Sequence, residues 1–146
     1  MCLCVLVVVS LDAELEGESV DDVAQTEDMI VSQWRDVSAN EGHQMRERFD
    51  EILRPLGFET SLLVIRRANS LALFFLCMTL SALTSLRDQW STRQLRGTVE
   101  SLFTFLSRGT RPFGVKRLTW PRTDYEQCLE SFGSLEGKMF LAAIVL

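Results

Sequence analysis

Apolar residues recur every three or four positions in five stretches of this chain, which is the spacing of one face of an α-helix. A bend near Ser91 and Thr92 separates two of these stretches. The pattern predicts helices over residues 19–38, 41–54, 79–90, 95–106 and 123–132. The strongest case has its apolar positions at Leu95, Val99, Leu102, Phe103 and Leu106.

Short runs rich in Leu, Val and Ile lie between the helices and predict strands. The runs 61–67 and 71–77 have Asn69 and Ser70 between them, so we expect an antiparallel hairpin. The second run is apolar throughout, which is typical of a central strand buried on both faces. Further strands are predicted over 115–120 and 139–146, and the apolar run 1–9 would add a buried strand at the edge of the sheet.

Helices and strands are mixed without the regular strand–helix–strand alternation of a parallel sheet. The natural solution is an antiparallel or mixed sheet whose apolar face is covered by helices. The sequence therefore predicts an α+β fold, a two-layer sandwich with a sheet of about four strands. Its 146 residues suit one domain with a real core.

Charge is distributed unevenly along the chain. Residues 1–42 carry ten acidic residues and one basic residue, whereas residues 43–146 carry ten acidic and fourteen basic residues. We therefore divide the chain into an acidic, partly helical N-terminal segment, residues 1–40, and an α+β interaction domain, residues 41–146. The acidic segment either packs against this domain or is peripheral to it as a solvated tail.

Residues that usually perform catalysis or bind metal are few and scattered. His43 is the single histidine, and it lies at the polar start of a predicted helix, where an exposed or capping role is expected. Cys2, Cys4, Cys77 and Cys128 form no CxxC pair and offer no zinc-binding set; the last two are expected to be buried core thiols. No phosphate-binding glycine loop or nucleophile motif is present. We expect no catalytic residue, cofactor or metal, and therefore no enzyme.

A basic group with interleaved aromatic residues surrounds the predicted strand 115–120. Arginine and aromatic side chains are enriched at protein interaction hot spots, and together they can also bind single-stranded nucleic acid. Ordinary solvated surface is a third interpretation. The net charge of −5 and the absence of an RNA-recognition aromatic motif make nucleic acid the less favoured partner. The candidate partner-binding residues are Arg108, Arg111, Phe113, Lys116, Arg117, Trp120 and Arg122.

The expected location is the cytoplasm. The longest apolar stretch beyond the N-terminus, 71–78, is far shorter than the roughly 20 residues that cross a bilayer, so no membrane span is expected. The cysteine pattern fits a reducing compartment. The alternative is a secretory signal in the run 1–9, although no Lys or Arg precedes this run and acidic residues follow from Asp12.

The order of features from Ser61 to Phe132 resembles the N-terminal α/β domain of the TRADD death-receptor adaptor and related animal immune and apoptosis modules. The resembling segments are LALFFL at 71–76, LSALTSLRDQW at 80–90, LRGTVESL at 95–102, VKRL at 115–118 and DYEQCL at 124–129. The resemblance implies an adaptor that recruits signalling proteins through an exposed face.

Three functional hypotheses follow from these observations. The first is a non-catalytic, intracellular protein–protein interaction module of the signalling-adaptor type, acting in apoptosis or innate immunity. The second is a small nucleic-acid-binding α+β domain that uses the basic loop and strand from Arg108 to Arg122. The third is an enzyme fragment whose catalytic groups lie on another chain, which would require a polar pocket holding a perturbed acid. No motif specifies the protein partner or the oligomeric state.

Overall fold

The computed structural model describes residues 7–17, 20–39, 43–68, 70–107 and 114–132. Within these ranges the predicted helices and hairpin are present, while the strand predicted over 139–146 lies outside them. A 3₁₀ turn, Arg54–Leu56, follows the second helix. The elements in chain order are β1 (Val7–Leu15), α1 (Val20–Ala39), α2 (His43–Leu53), β2 (Thr60–Arg67), β3 (Leu71–Cys77), α3 (Leu80–Ser91), α4 (Gln94–Leu106), β4 (Val115–Thr119) and α5 (122–132).

The four strands form one antiparallel sheet in the order β2-β3-β1-β4. This confirms the predicted α+β sandwich, the hairpin of β2 and β3, and the central position of β3. The prediction of an edge position for the N-terminal strand is wrong. β1 lies between β3 and β4, because it extends beyond the apolar run to Leu15 and its last residues, Asp12 to Leu15, pair with β4.

The described part of the acidic segment belongs to the same core as the rest of the chain. Every second side chain of β1 is buried, with Leu11 fully enclosed. Ile30, Trp34 and Val37 of α1 join the same cluster. The boundary drawn after residue 40 therefore follows the change in charge and does not separate two cores.

Helices α1 to α4 cover one side of the sheet. All five residues that predicted α4 are buried, whereas Leu80, at the start of α3, is exposed. Thr79 caps α3, since its Oγ1 accepts a hydrogen bond from the Ala82 amide at 3.0 Å. The predicted bend between α3 and α4 is a tight turn, in which Arg93 has a φ of 68°.

The opposite side of the sheet is not covered by these helices, and we call it the open face. Strand register brings its residues together, because paired residues of neighbouring strands point to the same side. Alternate residues of β1 are exposed here, in contrast to their buried neighbours. The open face comprises Val8, Ser10, Asp12, Glu14, Ser61, Val64, Arg66, Phe74, Leu76 and Arg117.

Candidate interaction surface

The structure describes four of the seven residues predicted to bind a partner. Arg108, Arg111 and Phe113 lie outside the described residues. Lys116 and Arg117 are exposed on β4, and Arg117 is paired in register with Glu14 of β1. Arg122 is exposed at the start of α5, where its Nε lies 3.2 Å from Glu126 Oε1.

The prediction that Trp120 contacts a partner is wrong. Only 2 % of this residue is exposed, so its ring is not available to stack on a base or to anchor a protein partner at the surface. It lies edge-on to Trp90, with ring centroids 6.5 Å apart, and to Tyr125, with centroids 5.4 Å apart. The sequence shows an aromatic residue next to basic ones, but it does not show that the chain turns inward where β4 ends.

The aromatic residues around Trp120 enclose a guanidinium group. Arg87 of α3 lies 4.2 Å, 5.1 Å and 4.8 Å from the ring centroids of Trp90, Trp120 and Tyr125. Its Nη1 donates to the Trp120 carbonyl oxygen at 2.8 Å, while Trp90 Nε1 donates to the Leu118 carbonyl oxygen at 2.9 Å. Burial lowers the pKa of Arg87. This cluster joins α3, the end of β4 and the start of α5.

Neither described cysteine has the properties of a reactive thiol. Burial raises the pKa of the Cys77 thiol to about 11, and burial also raises the pKa of Cys128, with a smaller contribution from the Asp124 carboxylate. The reactive form of cysteine is the thiolate, which both environments disfavour at neutral pH. Cys77 is fully buried as predicted, whereas Cys128 is partly exposed.

Glu27 is a buried carboxyl group near the sheet edge. Its Oε2 lies 3.6 Å from Nε of Arg67, and the same guanidinium group contacts Asp28 Oδ1 at 2.6 Å. Burial raises the pKa of Glu27, an effect that the charge of Arg67 only partly offsets. The folded protein therefore favours the neutral form of this side chain more than the unfolded chain does.

This shift predicts a pH-dependent effect of the substitution Glu27→Gln. A carboxyl group whose pKa rises on folding reduces the free energy of unfolding as pH increases through that raised pKa. The variant keeps the neutral form at every pH. We therefore expect the free energy of unfolding of the variant, minus that of the natural chain, to increase from pH 4 to pH 7 when both are measured by urea denaturation. Glu51→Gln, at an exposed position of α2, controls for the loss of one carboxylate; a stability difference that does not change with pH would contradict the prediction.

The open face combines an apolar area with a charged end. Val8 is 53 % exposed and Val64 40 %, and the half-buried Phe74 and Leu76 lie between them in the register. The Arg66 guanidinium lies 4.7 Å from the Phe74 ring centroid. The charged end has two acidic and two basic residues: Asp12, Glu14, Arg66 and Arg117.

Two further exposed apolar residues lie near the N-terminal end of β2. Phe58 is fully exposed in the loop before β2, and Leu63 is exposed at the irregular pairing within β2. Neither Phe58 nor Leu63 was among the predicted partner contacts. The alternation of apolar and polar residues from Val7 to Leu15 was the signal in the sequence that could have extended β1 to Leu15 and identified its exposed side.

Comparison with protein-family models, curated proteins and solved structures gave no match. Among the described residues, no helix combines the length and apolar character required to cross a bilayer. The same residues contain no group of three or more His, Cys, Asp or Glu side chains placed to hold a metal ion.

Proposed function

We propose that this protein is a protein–protein interaction module of the signalling-adaptor type, which binds its partner through the open face. The apolar area on this face is the observation that carries the proposal. Exposed apolar residues that are contiguous and bordered by charge mark interaction sites more often than single exposed residues do. An apoptotic or innate-immune role is the further expectation derived from the resemblance, and a cytoplasmic location is the one derived from the cysteine pattern.

The charge pattern defines the chemistry of the partner. The apolar area around Phe74 requires a matching apolar surface, because burial of such side chains supplies most of the binding free energy. The charged end contains both signs, so a matching partner carries acidic and basic residues at the same spacing. Complementary charges of this kind contribute mainly to specificity and to the association rate.

The proposal is tested by a substitution that changes the open face and leaves the core intact. Val64→Glu introduces a carboxylate at an exposed position of β2. We expect this variant to fail to capture a binder that the natural chain captures from cytoplasmic extract. With the purified binder, its dissociation constant should be about tenfold higher or more, as measured by calorimetry.

Met29→Glu is the matched control, because Met29 is a similarly exposed apolar residue on α1 and not on the open face. Equal binding by both variants would contradict the proposal. Light scattering of the isolated chain shows whether a second copy, in place of a different protein, occupies the face.

The alternative function, binding of nucleic acid through the Arg108–Arg122 region, makes a different prediction. Its affinity for a single-stranded oligonucleotide should fall steeply with salt, because binding releases counterions from the phosphates. Lys116 and Arg117 are the exposed described cations on β4, and the double variant Lys116→Gln, Arg117→Gln should lower both the affinity and the salt dependence. Lack of oligonucleotide binding at low salt would exclude this alternative.

A further inference from the structure

The two inner strands of the sheet differ in how completely their edges are paired. β1 pairs with β3 from Val7 to Ala13, but β4 pairs with β1 only from Asp12 to Leu15. The first half of β1 therefore has a neighbouring strand on one side only, within the described part of the chain. Beside this unpaired edge runs a groove of about 450 Å³ between β1 and α5, lined by Val7, Val8, Ser10, Trp120, Asp124, Gln127, Cys128 and Ser131.

Backbone hydrogen bonds show which groups of β1 face this groove. The Glu16 amide donates to the Gly114 carbonyl oxygen at 3.0 Å, on the β4 side of the strand. Amide and carbonyl groups alternate between the two edges of a strand, so Val8 and Ser10 direct theirs toward the same side as Glu16. The extra residue at the irregular β1–β4 pairing lies in β4, and the alternation in β1 is therefore continuous.

Trp120 lines the groove beside the unpaired edge. Its indole Nε1 is closed to solvent and has no hydrogen-bond partner among the described residues. The hydrogen bonds of a ligand in the groove therefore fall to the backbone groups of β1.

We propose that this groove binds an extended peptide, which adds to the first half of β1 as a further strand between β1 and α5. This inference rests on the proposed function and names a second mode of partner recognition. Strand addition uses backbone hydrogen bonds for affinity and contacts to alternate side chains for specificity. The backbone groups of Val8 and Ser10 provide the hydrogen bonds.

The lining of the groove indicates which peptides bind best. Val8 presents an exposed apolar side chain at the groove, which favours an apolar side chain in the peptide. Among the described lining residues, Asp124 is a carboxylate and no residue is cationic. A basic side chain facing Asp124 is therefore favoured over an acidic one.

The test uses the full chain and a library of random linear peptides displayed on phage. The tightest selected peptide is synthesised and added to the isotope-labelled protein for nuclear magnetic resonance. We expect amide hydrogen exchange at Val8 and Ser10 to slow about tenfold or more, because these amides gain partners. Val9 and Leu11 face β3 and should be unchanged.

Two substitutions that each add one positive charge complete the test. Gln127→Arg fills the groove from α5, whereas Ser101→Arg adds the same side chain at an exposed position of α4 that does not line it. We expect at least a tenfold loss of peptide affinity for the first variant and no change for the second. Equal affinities, protection at β2 in place of β1, or no peptide with a dissociation constant below about 100 µM would overturn the inference.

These results separate the inference from the proposed function. If the groove binds no peptide while Val64→Glu still abolishes partner binding, the strand-addition inference fails and the open-face proposal stands. If Val64→Glu and Met29→Glu bind equally well while the peptide results hold, the open-face proposal fails and the groove is the binding site.

Discussion

A fragment of residues 41–146 should be unable to form the folded sheet, even though it contains the whole basic part of the chain. Removal of residues 1–40 deletes β1, which pairs with β3 on one side and with β4 on the other. It also removes Leu11 and Ile30, which are completely buried. Without them β4 has no strand to pair with, and the apolar side of β3 is exposed. We expect an aggregated or unfolded fragment, with no cooperative thermal transition by circular dichroism.

Two substitutions in the full chain test whether β1 is required for folding, without deleting any residue. Leu11→Ala removes a fully buried side chain and should lower the free energy of unfolding by about 2–5 kcal/mol. Ser10→Ala, the adjacent residue on the open face, should change it by less than about 0.5 kcal/mol. A 41–146 fragment with dispersed amide resonances and a cooperative transition would show that β1 is dispensable and would contradict the placement of this strand.

Loss of the Arg87 side chain should destabilise the protein more than loss of an arginine that pairs only within its own helix. Arg87→Ala removes contacts with three aromatic rings and the hydrogen bond to the Trp120 carbonyl oxygen. A charge-assisted hydrogen bond contributes about 1.5–3 kcal/mol, and each partly buried cation–π contact adds about 0.5–1 kcal/mol. Because these contributions overlap, we expect a loss of about 2–4 kcal/mol by urea denaturation.

Arg87→Lys should recover only part of this stability, since an ammonium group cannot stack flat on the rings as a guanidinium does. Arg96→Ala is the control, because Arg96 is partly exposed on α4 and pairs with Glu100 within the same helix. Such pairs contribute about 0.3–0.5 kcal/mol. If Arg87→Ala and Arg96→Ala unfold at the same urea concentration, the cluster does not hold α5 in place. Hydrogen exchange in α5 should be faster in Arg87→Ala alone.

Local patterns predicted the helices and the hairpin well, because these elements depend on nearby residues. Each of the five apolar residues that defined α4 is buried, and the turn after α3 lies within two residues of the expected bend. The continuous apolar character of β3 correctly indicated a central strand, but the predicted burial on both faces is wrong, because Phe74 and Leu76 lie half-buried on the open face. A helix face leaves a periodic pattern in the sequence, and a central strand leaves a continuous apolar run; neither depends on distant partners.

The placement of β1 shows where the same reasoning failed. The acidic residues after Ser10 suggested a separate segment, although they occupy the solvent side of a strand whose other side is apolar. Net charge over a long stretch does not distinguish an acidic tail from a strand with one polar face. The alternation was present in the sequence, but the pairing of β1 with residues about 60 and 105 positions later was not.

The sequence by itself determined the α+β class, the helices, the hairpin and the central position of β3, since each depends on local periodicity. Tertiary structure alone decided that Trp120 is enclosed around Arg87, that one side of the sheet is open, and that a groove lies between β1 and α5. These features arise where residues distant in the chain meet. No local pattern records which strand will lie beside another or which aromatic ring will be covered.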